Sequence, residues 1–359
     1  MPVPRLDELS QDAPATAVVL SNGTPPPRVR AVYRDARGEI HFNWPEDRLR
    51  EAIDDAHGTL WLDIESDAIH GDNSVETILR DVFGFHPLAI EDALLETHLP
   101  KVDDWGDYLY IVFQSIDTKS QGRELELREL DVFLGKNYLV TYHCQPLKFL
   151  EDDRRNIERD PNNRLKHGPD HLLYHFLDMA VSELFEVIED LDEAIDLAQE
   201  EVFRRPTSRT LQSIFHVKRS ALRLHRIISP EREVMNRLAR DSYASIREEH
   251  RVYFRDVYDH LVRTLDMTET LRDLISSALD TYLSAISNRT NDIMKALTVV
   301  TVMFLPMSFI TGFFGMNFFA DNIMFQTPLP KMFLFVLSNV LMIAGFIAPW
   351  IMAWRKKWL

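Results

Sequence analysis

The sequence predicts an α+β membrane protein in which a cytoplasmic α/β domain is followed by a long helical stalk and two C-terminal transmembrane helices. Short β-like runs occur only before residue 150. No glycine or proline occurs between residues 231 and 305, which favours an uninterrupted helix. Between residues 296 and 354 the only charged residues are Asp321 and Lys331, so this part of the chain is apolar enough for a bilayer.

The composition indicates a folded protein that meets water over most of its length and attracts cations. The chain has 359 residues, a formal net charge of −16, 45% hydrophobic residues and 27% charged residues. Strong acidity argues against a nucleic-acid partner, because phosphate binding needs a basic surface. The sequence has neither a phosphate-binding glycine loop nor a nucleophile arrangement, and it therefore predicts a protein that is not an enzyme.

Residues 1–27 are expected to form a flexible leader. Its last six residues read NGTPPP, which is typical of a loop. The first fourteen residues lack the apolar run of a secretory signal, so the part of the chain before the membrane is expected to stay in the cytoplasm.

Residues 28–150 are predicted to form the cytoplasmic α/β domain, with a sheet flanked by helices. A tight turn at 135–137 joins the last two strands in a hairpin. The predicted strands are 29–33, 39–43, 59–64, 108–116, 127–134 and 138–142, and the predicted helices are 46–56, 73–83 and 87–96.

Residues 151–245 are predicted to form acidic and basic helical segments. Helices are expected at 170–204 and 207–229, with Pro206 and Pro230 at their ends. Residues 178–201 contain ten acidic residues and no basic one, and most of these are expected to form a solvated helix face.

Residues 246–314 are predicted to form one stalk helix that continues into the first transmembrane helix at about 293–314. Apolar residues recur mostly at steps of three and four from Val257 to Ile286, and the helix would be about 100 Å long. An outer loop at 315–331, a second transmembrane helix at 332–354 and a basic cytoplasmic tail at 355–359 follow. Basic residues flank the inner ends of both spans, which predicts that both termini are cytoplasmic.

One face of the first span mixes polar and aliphatic residues at steps averaging near 3.5, which is the seam spacing of helices packed around an axis. That face could line a pore, or its small and hydroxyl residues could help membrane helices to pack, and the periodicity leaves both interpretations open. A pore would require an oligomer, because two helices per chain cannot enclose one. The face comprises Asn291, Met294, Leu297, Thr301, Leu305 and Ser308.

Several short motifs along the chain carry a family resemblance. Residues 86–92 read HPLAIED, residues 253–260 read YFRDVYDH, and residues 291–298 read NDIMKALT. Gly315-Met316-Asn317 then follows the first span, and KKWL ends the chain. Together they resemble the CorA family of magnesium/cobalt transport proteins, which are divalent metal-ion channels with a Gly-Met-Asn signature.

The resemblance implies a funnel-shaped homopentamer in a bacterial inner membrane, with the first span of each chain lining the pore. It implies a selectivity filter at Gly315, Met316 and Asn317, and it makes the seam from Asn291 to Ser308 pore-lining. It also implies a regulatory metal site in the cytoplasm, where Asp92 pairs with Asp256 of a neighbouring chain. Glu91 and Asp178 would supply a second, looser position.

The expected function is a passive influx channel for hydrated Mg²⁺, and also for Co²⁺ and Ni²⁺, that intracellular Mg²⁺ closes by binding between chains. Mg²⁺ gives up its water reluctantly, so neutral Asn317 oxygens that accept hydrogen bonds from that water suit a weak conduction site. Two alternatives remain: a zinc-transporting relative of the same family, and a membrane-anchored metal sensor or scaffold.

Three features depart from the resemblance or add to it. The outer loop carries a single acidic residue, Asp321, and Ser308 stands where the family pattern suggests threonine. His171 and His175 lie four apart, a spacing that can bind zinc, but without an evident third ligand an ordinary helix face is the favoured interpretation.

Overall fold

The computed structural model describes residues 27–66, 73–95, 99–116, 125–160, 164–315 and 328–355. Contacts divide the chain into two compact units. The first contains the described residues of Met1–Phe185 together with Arg226–Thr264. The second contains Glu186–His225 together with the described residues of Leu265–Leu359.

A seven-stranded sheet forms the centre of the first unit, in the order β2-β1-β3-β7-β6-β5-β4. Only β3 and β7 run parallel among the described strands, and the other neighbours are antiparallel. The six predicted strands are confirmed to within about two residues at their ends. The strands are β1 (Arg28–Arg34), β2 (Ile40–Phe42), β3 (Thr59–Glu65), β4 (Lys101–Asp104), β5 (Leu109–Ile116), β6 (Leu127–Leu134) and β7 (Tyr138–His143).

The sequence did not predict β4. This edge strand reads KVDD, and Val102 is its only buried residue, so it lacks the run of apolar or β-branched residues that indicates a strand. Its pairing with β5, which is buried along its whole length, holds it in the sheet.

Eight α-helices lie wholly within the described residues. A π-helical turn at Ile78–Val82 extends α2, and short 3₁₀ turns at Glu46–Arg48 and Glu248–His250 precede α1 and α7. The helices are α1 (Leu49–Asp54), α2 (Asn73–Thr77), α3 (Pro87–Leu95), α4 (Lys148–Arg159), α5 (Pro169–Arg204), α6 (Ser208–Arg240), α7 (Arg251–Gly315) and α8 (Pro328–Arg355).

The sheet of the first unit has helices on both faces, because successive side chains of a strand point to opposite sides. Leu60, Leu62 and Ile64 of β3 join a core with buried residues of α1, α2 and α3. On the other face, the Trp61 ring lies 5.0 Å from the ring of Phe176 in α5, between ring centroids. The Arg154 guanidinium of α4 lies 4.6 Å from the centroid of the Trp61 ring. The sheet therefore lies between two layers of helices, and the second layer comes from α4 and α5, almost wholly beyond the predicted range 28–150.

A buried carboxylate joins the layers on that second face. The Asp63 oxygens accept hydrogen bonds from Arg30 and Arg154, each at 3.0 Å, and from the Thr141 hydroxyl at 2.7 Å. Burial by itself would raise the pKa of Asp63, but the nearby His143, Arg154 and Thr141 outweigh it and hold that pKa well below its usual range. Asp63 is fully buried, and it is stable there because its charge is paired and its oxygens are hydrogen-bonded.

The predicted helix end at Pro230 is wrong, because α6 continues through this proline to Arg240. A proline inside a helix removes one backbone hydrogen bond and costs about 3 kcal/mol. Contacts with the last two strands of the sheet, β5 and β4, offset this cost. The Glu231 carboxyl group is buried and accepts a hydrogen bond from the backbone N–H of Gln114 at 3.0 Å, and Arg237 donates to the carbonyl of Val102 at 2.9 Å.

The stalk helix is confirmed as α7, with 65 residues between Arg251 and Gly315. It begins a few residues later than predicted, because residues 241–247 form turns and Glu248–His250 form a 3₁₀ turn. The segment Glu248–Phe313 contains an 18-residue window with a mean hydropathy of 1.9 and is long enough to cross a membrane. In α8, the described residues Val336–Met352 form a shorter apolar stretch.

In the second unit, α7 and α8 approach closely at a proline and a glycine. A Cβ atom added to Gly345 would lie 3.2 Å from Cβ of Pro306, which is tighter than ordinary van der Waals contact. Val299 and Met303 on the same side of α7 are buried, with 6% and 5% of their surface exposed. These residues define the face of α7 that packs within its own chain.

Candidate metal centre and pore helix

All six residues that the sequence assigns to the pore lie on α7, and all six are exposed in the single chain. Met294, Leu297 and Leu305 expose 55%, 57% and 68% of their surface, and large apolar residues outside the seam, such as Phe309 with 72%, are also exposed. Such exposure means that this face is left to be covered by lipid or by other copies of the chain.

The exposed seam lies opposite the face of α7 that packs within the chain. At about 100° per residue, Thr301 and Ser308 lie about 140–200° around the helix from Val299 and Met303. A helix packed on its own α8 by one side therefore presents the mixed polar and aliphatic seam on the other side. That arrangement suits a helix whose seam faces the axis of an oligomer.

Hydroxyl groups on this helix are tied to its backbone. The Thr301 hydroxyl donates to the carbonyl of Leu297 at 2.9 Å, and Thr298 donates to the carbonyl of Met294 at 2.7 Å. Each hydroxyl proton is thus used within the helix, and the oxygen lone pairs remain available to accept hydrogen bonds. A ring of Thr301 oxygens could therefore accept hydrogen bonds from the water around a cation.

Gly315 is the last residue of α7 and is exposed. Met316 and Asn317, the other two residues of the predicted filter, lie outside the described residues.

A cluster of two carboxylates and an imidazole lies where α5 and α7 meet in the first unit. One ligand atom from each of Asp178, Asp256 and His260 lies within 4.8 Å of the others. Nδ1 of His260 lies 3.4 Å from Oδ1 of Asp178. The structure thus brings together two of the four predicted metal ligands within one chain.

The electrostatics of this cluster favour a cation. Burial raises the pKa of Asp178 above its usual value, and the Asp256 carboxylate raises it further, whereas His260 opposes the shift. Two neighbouring carboxylates that repel each other are stabilised when a divalent ion lies between them. Carboxylate oxygens suit Mg²⁺, and the added imidazole nitrogen suits Co²⁺, Ni²⁺ or Zn²⁺ as well.

Asp92 has a different partner. It forms an ion pair with Lys101 of β4, whose Nζ also lies 2.9 Å from a carboxylate oxygen of Asp103. Burial would lower the pKa of Lys101, but Asp92 and Asp103 outweigh it and raise that pKa. Within its own chain Asp92 is therefore compensated by a cation, whereas Glu91 next to it is exposed.

Sequence reasoning missed one residue of the carboxylate cluster, His260, and the partner of Asp92, Lys101. His260 stands one helical turn after Asp256 on α7, and that spacing on a predicted helix could have indicated it. Lys101 comes nine positions after Asp92 on a strand that the sequence did not predict, so no local signal pointed to this pair.

Comparison with known proteins places these features in context. Residues 56–356 match the family model described as CorA-like Mg²⁺ transporter protein. The chain is 34% identical over 308 residues to the cobalt/magnesium transport protein CorA of Thermotoga maritima, which covers 85% of each chain.

Solved structures agree with the fold. The complete structure of the CorA magnesium transporter from Methanocaldococcus jannaschii matches with a TM-score of 0.74 at 21% identity, over 92% of this chain and 98% of that one. The full-length CmaX protein matches with a TM-score of 0.69 at 22% identity, over 90% of this chain and 99% of that one. At these identities the likeness shows a shared fold.

Proposed function

The chain belongs to the CorA-like Mg²⁺ transporter family, and on that basis we propose that it is a passive influx channel for hydrated Mg²⁺, with Co²⁺ and Ni²⁺ as further substrates. It is a divalent cation transporter by family, and not an enzyme. Beyond family membership, we propose the path of the ion along α7, its movement into the cell and its regulation by intracellular Mg²⁺.

One observation carries the pore assignment: the seam of α7 lies on the side of the helix opposite its packing face. Five copies of this seam would form alternating rings of amide, aliphatic and hydroxyl groups around an axis. Aliphatic rings from Met294, Leu297 and Leu305 can gate by excluding water. Gly315, Met316 and Asn317 would form the filter at the outer end, where neutral oxygens hold a hydrated ion loosely enough to release it.

Regulation is proposed to occur at the carboxylates of the cytoplasmic unit. Intracellular Mg²⁺ would bind Asp256 of one chain and Asp92 of its neighbour, with Asp178 and Glu91 as the looser position, and hold the chains in the closed arrangement. A ligand that binds one state better shifts the population toward that state, so loss of Mg²⁺ would favour opening. The half-buried Asp178, whose pKa is raised by burial and by the exposed Asp256 carboxylate beside it, supports this assignment.

The filter assignment is tested by ion flux into liposomes that contain the purified full chain. Asn317→Ala should abolish selective Mg²⁺ influx while the protein still assembles, as measured by native mass. Asn322→Ala, in the same outer loop, is the matched control and should conduct as the parent does. Equal selective flux through Asn317→Ala and the parent would exclude Asn317 from the filter.

The alternative of a zinc-transporting relative is decided by the same assay with Zn²⁺ in place of Mg²⁺. Zn²⁺ flux that exceeds Mg²⁺ flux at equal concentration would favour it. Membership of a transporter family weighs against the sensor or scaffold alternative, which predicts no flux at all in the parent. The proposed location is a bacterial inner membrane, with two spans per chain and both termini in the cytoplasm.

A further inference from the structure

Four histidines gather near the start of α5 and the start of α7, inside the first unit. His171 lies at their centre, and its ring centroid is 4.9 Å from that of His167, 4.6 Å from that of His175 and 5.2 Å from that of His250. The sequence analysis noted only the spacing of His171 and His175 and favoured an ordinary helix face for them, and the fold brings His167 and His250 beside this pair. Nothing in the proposed channel mechanism uses this cluster.

These separations suit a shared metal ion. Two imidazole nitrogens that bind one tetrahedral ion at about 2.0–2.1 Å place their ring centroids about 5 Å apart. The three centroid distances around His171 lie close to that value. His171 and His175 also stand one helical turn apart on α5, so both rings project from the same face of the helix.

His250 is held in the way that metal-binding histidines are held. Its Nδ1 lies 2.9 Å from Oδ2 of Asp170, and the same carboxylate accepts hydrogen bonds from Arg247. When the Nδ1–H of a neutral histidine donates to a carboxylate, Nε2 carries the lone pair, and such a carboxylate is the usual second partner of a metal-ligating histidine. Nε2 of His250 lies 3.8 Å from a carboxylate oxygen of the exposed Glu249. Asp170 therefore orients one nitrogen of His250 as a potential donor.

The imidazoles of His171 and His175 are neutral, and one nitrogen of His171 has no hydrogen-bond partner. Burial lowers the pKa of His171 to about 4 and that of His175 to about 3, so both rings have free lone pairs at neutral pH. Nδ1 of His171 is buried and has no hydrogen-bond partner. Leaving a buried polar atom unpaired is costly, and a bound cation would remove that cost.

Tyr174 and Tyr253 also pack around His171, each with its ring centroid within 6 Å, so a purely aromatic cluster is the competing explanation. Among the described residues, three ligand atoms already lie within 4.8 Å of one another only in the Asp35, Glu39 and His41 group and in the Asp178, Asp256 and His260 group. Closure of the histidine cluster on an ion therefore requires rotation of its side chains.

We propose that His171 and His175, joined by His167 or His250, form a binding site for a borderline transition cation, namely Co²⁺, Ni²⁺ or Zn²⁺, that does not accept Mg²⁺. Imidazole nitrogen is a preferred donor for these ions, whereas Mg²⁺ requires oxygen. His175 precedes Asp178 by one turn of α5, so this nitrogen site adjoins the carboxylate centre and would allow the cytoplasmic unit to distinguish the two classes of ion.

The test uses the purified full chain in detergent, with excess Mg²⁺ present to occupy the sites made of oxygen. Zn²⁺ or Co²⁺ is then added, binding is measured by calorimetry, and the ligands are identified by X-ray absorption. The parent should bind the transition ion with at least two imidazoles in its shell. The variant with both His171→Phe and His175→Phe keeps two aromatic rings for packing and should lose this binding, by at least about tenfold.

Two control variants separate the possible sources of binding. His57→Gln changes an exposed histidine of the same unit and should bind as the parent does. His260→Gln removes the imidazole of the carboxylate centre and should also retain the signal from at least two imidazoles. The proposal is overturned if the parent binds no transition ion in excess Mg²⁺, or if the double Phe variant binds it as tightly as the parent. The readout is binding, so its failure would leave the channel proposal standing.

Discussion

Asp92 and Asp256, the two carboxylates proposed to share a regulatory ion, have different neighbours in a single chain. Asp256 lies beside Asp178 and His260, where a divalent cation would relieve repulsion. Asp92 is paired with Lys101, which competes with any metal for the same carboxylate. The affinity of the proposed regulatory site therefore depends on a lysine that no metal-ligand motif would include.

Removal of that competition should make the channel more sensitive to internal Mg²⁺. An exposed ion pair contributes about 0–1 kcal/mol, so Lys101→Ala should lower the Mg²⁺ concentration for half-closure by about two- to fivefold. Flux into liposomes at stepped internal Mg²⁺ measures this. Lys148→Ala removes another surface lysine, 4.0 Å from Glu183, and should leave the midpoint unchanged. An unchanged or higher midpoint in Lys101→Ala would contradict the role given to this pair.

Glu231 predicts a pH dependence of stability. Burial raises its pKa well above the usual value, and its Oε2 has no hydrogen-bond partner. The folded state therefore favours the protonated form, and stability is lost as pH rises above the unfolded pKa of about 4.3 toward the raised folded value. Glu231→Gln is neutral at every pH, so it should unfold at a higher temperature than the parent at pH 8.

Measurement at pH 5 provides the reference for Glu231, because the unfolding temperatures of the parent and of Glu231→Gln should differ less at pH 5 than at pH 8. Glu233→Gln, an exposed position two residues along α6, should track the parent at both pH values. If Glu231→Gln were less stable than the parent at pH 8, the buried carboxyl would have to be ionised and paired in the folded state.

At the level of single elements, the main feature of α7 is that its exposed seam lies on the side of the helix opposite the face that packs within the chain. Leu305 exposes 68% of its surface and is the most exposed aliphatic residue of that seam. If it forms a water-excluding ring, Leu305→Asn should wet the constriction and raise Mg²⁺ flux at high internal Mg²⁺. Val300 lies about 140° around the helix from Leu305, so Val300→Asn should not raise the Mg²⁺ flux. Equal Mg²⁺ flux through Leu305→Asn and Val300→Asn would show that Leu305 is not part of the gate.

The contact between α7 and α8 depends on the absence of a side chain at Gly345. Because a Cβ there would already lie 3.2 Å from Pro306, Gly345→Leu should separate the two helices. Overpacking of this kind costs about 1–3 kcal/mol, so the thermal midpoint of the protein in detergent should fall. Ala344→Leu adds similar bulk at an exposed neighbouring position and should leave the midpoint close to that of the parent.

At the level of the whole molecule, the proposed oligomer brings together copies of a chain with a formal net charge of −16. Copies of an acidic chain repel one another, and divalent ions between facing carboxylates offset that repulsion. Asp92→Lys would replace the proposed ion with a direct pair to Asp256 of a neighbouring chain. This variant should remain closed without Mg²⁺, as measured by its resistance to proteolysis and its low flux.

Asp103→Lys is the matched control for that exchange, because Asp103 is also paired with Lys101. It should keep the Mg²⁺ requirement of the parent. A requirement for Mg²⁺ in Asp92→Lys that equals that of the parent would refute closure by an ion between Asp92 and Asp256.

Much of this architecture could be predicted from local sequence. Six of the seven described strands were predicted because their apolar runs are strong, whereas β4 has one buried residue and depends on β5. The helix end predicted at Pro230 was wrong because Glu231 and Arg237 bind the sheet and outweigh the local preference of proline. The site residues were taken from motifs, and their roles stay predictions.

The sequence by itself determined the apolar span, the long stalk helix and the family, because hydropathy, helical period and short motifs are all local properties of the chain. Only the tertiary structure decided that Asp178 meets Asp256 and His260, that Lys101 holds Asp92, and that His167 and His250 join the pair on α5. The physical reason is that these groups come from separate elements. Their proximity is set by how helices and strands pack, and local sequence does not encode it.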